Sequence, residues 1–168
     1  MIIRPENPEQ FPRIYDLVKI AFQTAKASNG KEQDFVNQLR SSGNYITELA
    51  LVAEENDQLV GHIMLTRTYI DNGGNRFEIL LLAPVSVALE FRNRGVGSKL
   101  IKEALRLAGE MGYTSVILVG DPAYYRRFGF KASVEFGIKN TNNIPDEYVM
   151  VSELVPCVLK GVSGTVDF

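Results

Sequence analysis

The chain has 168 residues, 45% of them hydrophobic and 23% charged, with a formal net charge of -2, one cysteine and one histidine. These values fit one soluble globular domain over residues 1–168 and exclude a disordered chain of low hydrophobicity. No basic run offsets phosphate repulsion, which excludes general nucleic-acid binding. Neither a membrane-length apolar span nor an N-terminal signal pattern occurs, so no membrane partner and a cytoplasmic setting are expected.

In chain order, Met1 to Arg4 reads as a short edge strand. Asn7-Pro8-Glu9 is a helix start, with a capping side chain, a proline in the first turn and an acid near the positive dipole end. Ile14, Leu17, Val18, Ala21 and Phe22 recur at helical spacing. A polar break, Ser28-Asn29-Gly30, precedes a second helix carrying Phe35, Val36 and Leu39. Leu49 to Ala53 and Leu59 to Thr66 read as strands around an Asn56-Asp57 turn, and Asp71-Asn72-Gly73-Gly74 reads as the next hairpin tip. Arg76 to Ala88 is a central strand in which Pro84, lacking an N–H, predicts an interruption or bulge. Val96, Leu100, Ile101, Leu105 and Ala108 follow a helical period that Gly112 ends. Thr114 to Val119 is nearly all apolar, as a parallel strand covered on both faces requires.

The densest chemistry lies between the central strand and that helix, in Arg92-Asn93-Arg94-Gly95-Val96-Gly97-Ser98. Two glycines allow a tight bend and close approach of backbone N–H groups to a ligand. A helix start adds free N–H donors and the positive dipole end, and two guanidinium groups stand ready for charge-assisted hydrogen bonds. Such a turn suits phosphate oxygens. Two cations at a positive dipole end are unfavourable unless an anion compensates them, which favours the functional reading of Arg92 and Arg94. The spacing matches neither the dinucleotide fingerprint, which needs glycine where Leu100 stands, nor the nucleotide P-loop, which needs Gly-Lys-Ser/Thr.

The pattern Arg-x-x-Gly-x-Gly after a strand resembles the pyrophosphate-binding turn of the GNAT superfamily of acyl-CoA-dependent N-acetyltransferases. A second stretch strengthens it. Tyr125 stands four residues before Gly129 in Gly120-Asp121-Pro122-Ala123-Tyr124-Tyr125-Arg126-Arg127-Phe128-Gly129-Phe130. This segment and the closing Gly161 to Val166 are similar to a poorly characterised bacterial subgroup of the family. The resemblance implies an α/β fold: a mixed central sheet with a splayed parallel strand pair and helices on both faces. It implies acetyl-CoA as co-substrate, no metal, and a small-molecule or peptide amine acceptor whose specificity is set by Gln23 to Arg40. A homodimer is compatible with it. The main chain of Val85 and Val87 would pair with pantetheine, the Val87 N–H would face the thioester carbonyl, and Arg92, Arg94, Gly95, Val96, Gly97 and Ser98 would hold the pyrophosphate. Tyr125 would protonate the departing thiolate, a task suited to a phenol with an ordinary pKa of about 10. Many members carry asparagine and a longer helix where this chain has Gly120-Asp121-Pro122, which leaves Asp121 without an assigned role.

For the general base, Glu78 and His62 are in reach by sequence. The plainer readings, an exposed strand carboxylate and a strand histidine with satisfied hydrogen bonds, outweigh catalysis, and no base is assigned. Cys157, between Pro156 and Val158, reads as a small core residue of an apolar strand rather than a nucleophile. One His and one Cys far apart argue against a metal site. The main rival to an enzyme is a module that senses acyl-CoA without catalysis.

Overall fold

A computed structural model describes residues 1–25 and 28–168. The chain divides into two compact units, Met1–Thr66 with Ala83–Leu107, and Arg67–Leu82 with Ala108–Phe168.

In the first unit, β1 (Ile2–Pro5) leads through a 3-10 turn at Pro8–Gln10 into α1 (Phe11–Phe22), which is followed by α2 (Glu32–Ser41). The helix entry forms where Asn7 predicted it, stabilised by an Asn7 N–H donated to Gln10 Oε1 at 3.0 Å. β2 (Ala50–Glu55) and β3 (Gln58–Asn72) form an antiparallel hairpin, and β1 pairs antiparallel with β2 as the expected edge strand. The connecting residues Asn56 and Asp57 both have positive φ, 50° and 61°, as a two-residue hairpin turn of this handedness requires.

Alternate residues of β3 face opposite sides, and the two sides are covered differently. Met64 joins Ile14, Val18, Val36, Ala50 and Val52 in a core beneath α1 and α2. Gly61, three residues earlier, faces α3 (Val96–Glu110). Helices on both faces of a sheet are therefore present within this unit. A Cβ on Gly61 would lie 2.8 Å from Leu100 Cδ1, 2.9 Å from Val96 Cγ1 and 3.2 Å from the Ser86 carbonyl oxygen. The first turn of α3 thus rests against bare backbone. Gly61→Ala should cost about 1–3 kcal/mol by overpacking. Chemical denaturation would show this as a lower midpoint, and an unchanged midpoint would mean that α3 gives way without loss.

β4 (Asn75–Val87) runs through both units. It does not break at Pro84; the Ala83–Pro84 bond is cis within a continuous strand. In the second unit β4 pairs in parallel with β5 (Ser115–Val119) through Leu80 with Val116 and Leu81 with Ile117. Pro84, with no N–H to give, lies beyond that pairing. The α3 helix ends as Gly112 predicted: Gly112 takes φ of 93° and the Tyr113 amide donates back to the Ala108 carbonyl at 3.0 Å.

The rest of the second unit comprises α4 (Pro122–Tyr125), β6 (Lys131–Ala132), β7 (Ile138–Asn140), β8 (Val149–Glu153) and β9 (Gly164–Val166). β8 pairs antiparallel with both β5 and β6, and β9 pairs in parallel with β7, giving a mixed α/β fold. Cys157 departs from expectation. It is exposed and has φ of 63°, within a run of turns after β8 rather than in a strand. Pro156 offers no N–H for a ladder, and the Leu159 amide donates instead to Glu153 Oε2 at 3.0 Å, curling the segment.

Candidate functional site

In the first unit β4 ends at Val87, and the Ala88 amide donates to the Val60 carbonyl at 2.9 Å. A 3-10 turn at Leu89–Phe91 follows, and then the Arg/Gly turn. Asn93 and Gly95 both take left-handed backbone, with φ of 62° and 79°. A side chain at Gly95 would meet nothing within 4 Å, so the glycine serves backbone conformation and openness rather than packing. The Lys99 amide bonds to the Gly95 carbonyl at 3.0 Å. The amides of Val96, Gly97 and Ser98, being the first of α3, have no carbonyl one helical turn earlier to accept them. Three N–H donors and the positive end of a 15-residue helix therefore open from this turn.

The two arginines behave differently. Arg94 lies over the Phe91 ring, with its guanidinium carbon 5.1 Å from the ring centroid, and it stays exposed beside the turn. Arg92 reaches back instead. Its Nη2 donates to the Ala21 carbonyl at 2.6 Å and its Nη1 to Thr24 Oγ1 at 3.1 Å. Ala21 belongs to the last turn of α1, where carbonyls lack helical partners and a cation is favoured.

Beneath α1 and α2 lies a cluster that sequence reasoning missed. Glu6, directly after β1, has a fully buried side chain and accepts four hydrogen bonds. Arg40 Nε and the Tyr45 hydroxyl reach its Oε2 at 2.7 and 2.8 Å; Arg40 Nη2 and His62 Nε2 reach its Oε1 at 2.9 and 2.7 Å. Burial pushes the Glu6 carboxyl up, but the hydrogen bonds from Arg40 and His62, together with the Arg40 charge, outweigh it and hold the pKa at about 2. Burial likewise raises the Tyr45 phenol, with Glu6 adding to the effect. Arg40 also stacks 3.8 Å from the centre of the Phe11 ring, linking α2 to α1.

Burial lowers the pKa of His62, against the pull of Glu6, and keeps the imidazole neutral. Because an ionised carboxylate only accepts, the tautomer is assigned with the proton on Nε2. Nδ1 is then an acceptor, and it is buried with no partner among the described residues. His62 is thus a structural partner of Glu6 within β3. Glu78 is the exposed strand carboxylate expected of it, 4.0 Å from Arg67.

In the second unit Asp121 has a defined role: it caps α4, accepting the Ala123 amide at 2.9 Å, with Pro122 at the first helical position. Gly120 is equally specific. A Cβ there would clash with Cε2 of the Tyr125 ring and lie 2.8 Å from its Cδ2, so the phenol ring lies on the bare Gly120 backbone. Phe130 meets the same ring edge-on at a centroid distance of 6.0 Å, and Tyr124 does so at 5.0 Å. Burial, and then the neighbouring Tyr124, push the Tyr125 phenol up to about 12. Gly120-Asp121-Pro122 is therefore a seat and a cap for Tyr125, legible only once the ring is seen on the glycine.

A family model described as an acetyltransferase (GNAT) domain matches residues 2–133. An uncharacterized N-acetyltransferase of Escherichia coli K12, YhbS, is 30% identical over 169 residues, covering 100% of this chain and 96% of its own. The crystal structure of E. coli YhbS in complex with CoA superposes with a TM-score of 0.86 at 28% identity, covering 99% of this chain and 88% of that one. A GNAT family acetyltransferase from Brucella melitensis in complex with acetyl-CoA gives 0.81 at 33% identity, covering 99% and 94%. A glycine turn opening a helix after β4, a parallel β4–β5 pair and a family match over most of the length converge: this chain belongs to the GNAT family of acetyltransferases.

Proposed function

We propose that the protein binds acetyl-CoA and transfers its acetyl group directly to the neutral amine of a small-molecule or peptide acceptor. The observation that carries this reading is the exposed left-handed turn at Asn93 and Gly95, followed at once by the unpaired first amides of α3. The complexes of the E. coli and B. melitensis relatives with CoA and acetyl-CoA support it.

In this reading the amides of Gly95, Val96, Gly97 and Ser98 and the Arg94 guanidinium hold the pyrophosphate, while Arg92 shapes the turn. Phosphate oxygens at a helix start gain both hydrogen bonds and a favourable dipole. The main chain of Val85 and Val87 pairs with pantetheine, and the Val87 N–H stabilises the negative charge that develops on the thioester oxygen. A donor of this kind is typically worth about 2.7–4 kcal/mol. The amine nitrogen attacks the thioester carbon, the carbon–sulfur bond breaks while Tyr125 donates its hydroxyl proton toward the departing sulfur, and the proton shed by the attacking nitrogen passes to solvent, which restores the Tyr125 hydroxyl. Holding both reactants together lowers the barrier further. No acyl-enzyme forms.

Calorimetric titration with acetyl-CoA, with pantetheine and ATP as controls, tests the cofactor assignment directly. Micromolar affinity that depends on the pyrophosphate is expected, and no binding would remove the reading. Gly95→Val should weaken acetyl-CoA binding by at least about tenfold, since a β-branched residue resists positive φ and covers the phosphate approach. Unaltered affinity in a folded variant would remove the turn as the binding element. Thiol release with a panel of amines then separates an enzyme from an acyl-CoA sensor.

A further inference from the structure

We propose that Arg92 couples occupancy of the phosphate turn to the conformation of the chain that leaves α1, so that CoA binding stabilises the residues after that helix. This inference rests on the assignment of CoA to the turn. Its basis is the connectivity of the Arg92 side chain. Residues 92–95 are exposed, and among the described residues the side-chain hydrogen bonds from this turn to another element all come from Arg92. Both run to the end of α1, to the Ala21 carbonyl and to the Thr24 hydroxyl.

An arginine suits this task because its planar fork serves two acceptors at once, where a lysine offers one compact charge. One acceptor is a helix-terminal carbonyl, where a cation also meets the negative dipole end. The other lies three residues on, outside α1, so the fork spans the helix end and the start of the connection to α2. The Gln23 and Ala25 amides sit in the same stretch, donating to Ile20 and Phe22 at 3.2 Å each. Asn93 and Gly95 hold left-handed backbone immediately after Arg92, so a ligand that fixes the Gly95 amide and those that follow it also restrains where the Arg92 side chain starts. A turn with less freedom holds the fork on Ala21 and Thr24 for more of the time. Linkage makes the effect reciprocal: whatever holds the α1 end in place also favours CoA.

Arg92 is in this account a positioning residue rather than a phosphate ligand, and a change in activity alone would not reveal it. The test follows amide hydrogen exchange of Gln23, Thr24 and Ala25 in the full chain with and without saturating CoA. In the wild type, CoA should slow exchange at these amides by about tenfold, a usual size for coupling between sites. In Arg92→Met, at CoA concentrations shown by calorimetry to saturate it, the amides should exchange at the same rate with and without ligand. Thr24→Val leaves the turn intact, removes one of the two acceptors, and should reduce the response without abolishing it. Equal slowing in wild type and Arg92→Met would overturn the proposal, as would CoA binding to the wild type with no slowing at all. Failure of the wild type to bind CoA would instead overturn the cofactor assignment beneath it.

Discussion

Tyr125→Phe is expected to lower turnover by about 100-fold, the lower end of what a positioned general acid contributes, while acetyl-CoA affinity changes less than about twofold. The variant removes one oxygen and leaves the ring on Gly120 and against Phe130, so packing is preserved. With its pKa pushed up to about 12, Tyr125 is protonated throughout the physiological range and contributes no basic inflection below that value. The same shift makes it a weaker acid than a thiol of ordinary pKa near 8.5, so full proton transfer to free thiolate is uphill. On the proposed mechanism the phenol acts at the moment of bond breaking, by donating to sulfur as negative charge accumulates there. Steady-state kinetics paired with calorimetry check both halves of the prediction. Unchanged turnover would remove Tyr125 as the acid, and a large loss of affinity would make it a binding residue instead.

Glu6→Gln is expected to destabilise the fold by about 3–5 kcal/mol, because it leaves the Arg40 guanidinium buried without its counter-charge. The Arg40 side chain is 8% exposed and that of Glu6 0%, so water cannot take over. The pH dependence follows from the same groups. Glu6 has a native pKa of about 2 against an ordinary 4.5. Its contribution, about 3 kcal/mol at neutral pH, is complete above the unfolded value and is lost as pH falls from there toward 2. His62 adds to this in the same direction. Its folded pKa is depressed by burial, so below its ordinary 6.5 the unfolded chain takes up a proton that the folded chain refuses, and stability falls. Urea denaturation from pH 7.5 down to pH 2.5 should show a steady decline for the wild type. Glu6→Gln should start lower and lack the component that falls away between pH 4.5 and 2. A variant as stable as wild type at pH 7.5 would show that the cluster adds nothing net.

The sequence by itself determined the periodic elements and the chemistry confined to one short stretch. The spacing of Ile14, Leu17, Val18 and Ala21 specified the buried face of α1, and Asn56-Asp57 specified a two-residue hairpin, because both signals are local and repeat with the geometry of the element they build. The glycine turn that opens α3 was legible for the same reason: its glycines, arginines and helix start are contiguous. The role of Asp121 needed only its own helix, yet the meaning of Gly120 beside it depended on where the Tyr125 ring came to lie. Cys157 was misplaced because an apolar neighbourhood in sequence says nothing of whether the chain has already left the sheet. The tertiary structure alone decided the Glu6, Arg40, Tyr45 and His62 cluster, whose members lie 34, 39 and 56 positions from Glu6 with no spacing rule between them. It also decided the two different fates of Arg92 and Arg94. Composition assigns both arginines the same charge, but only the fold brings an unpaired helix carbonyl within reach of one of them.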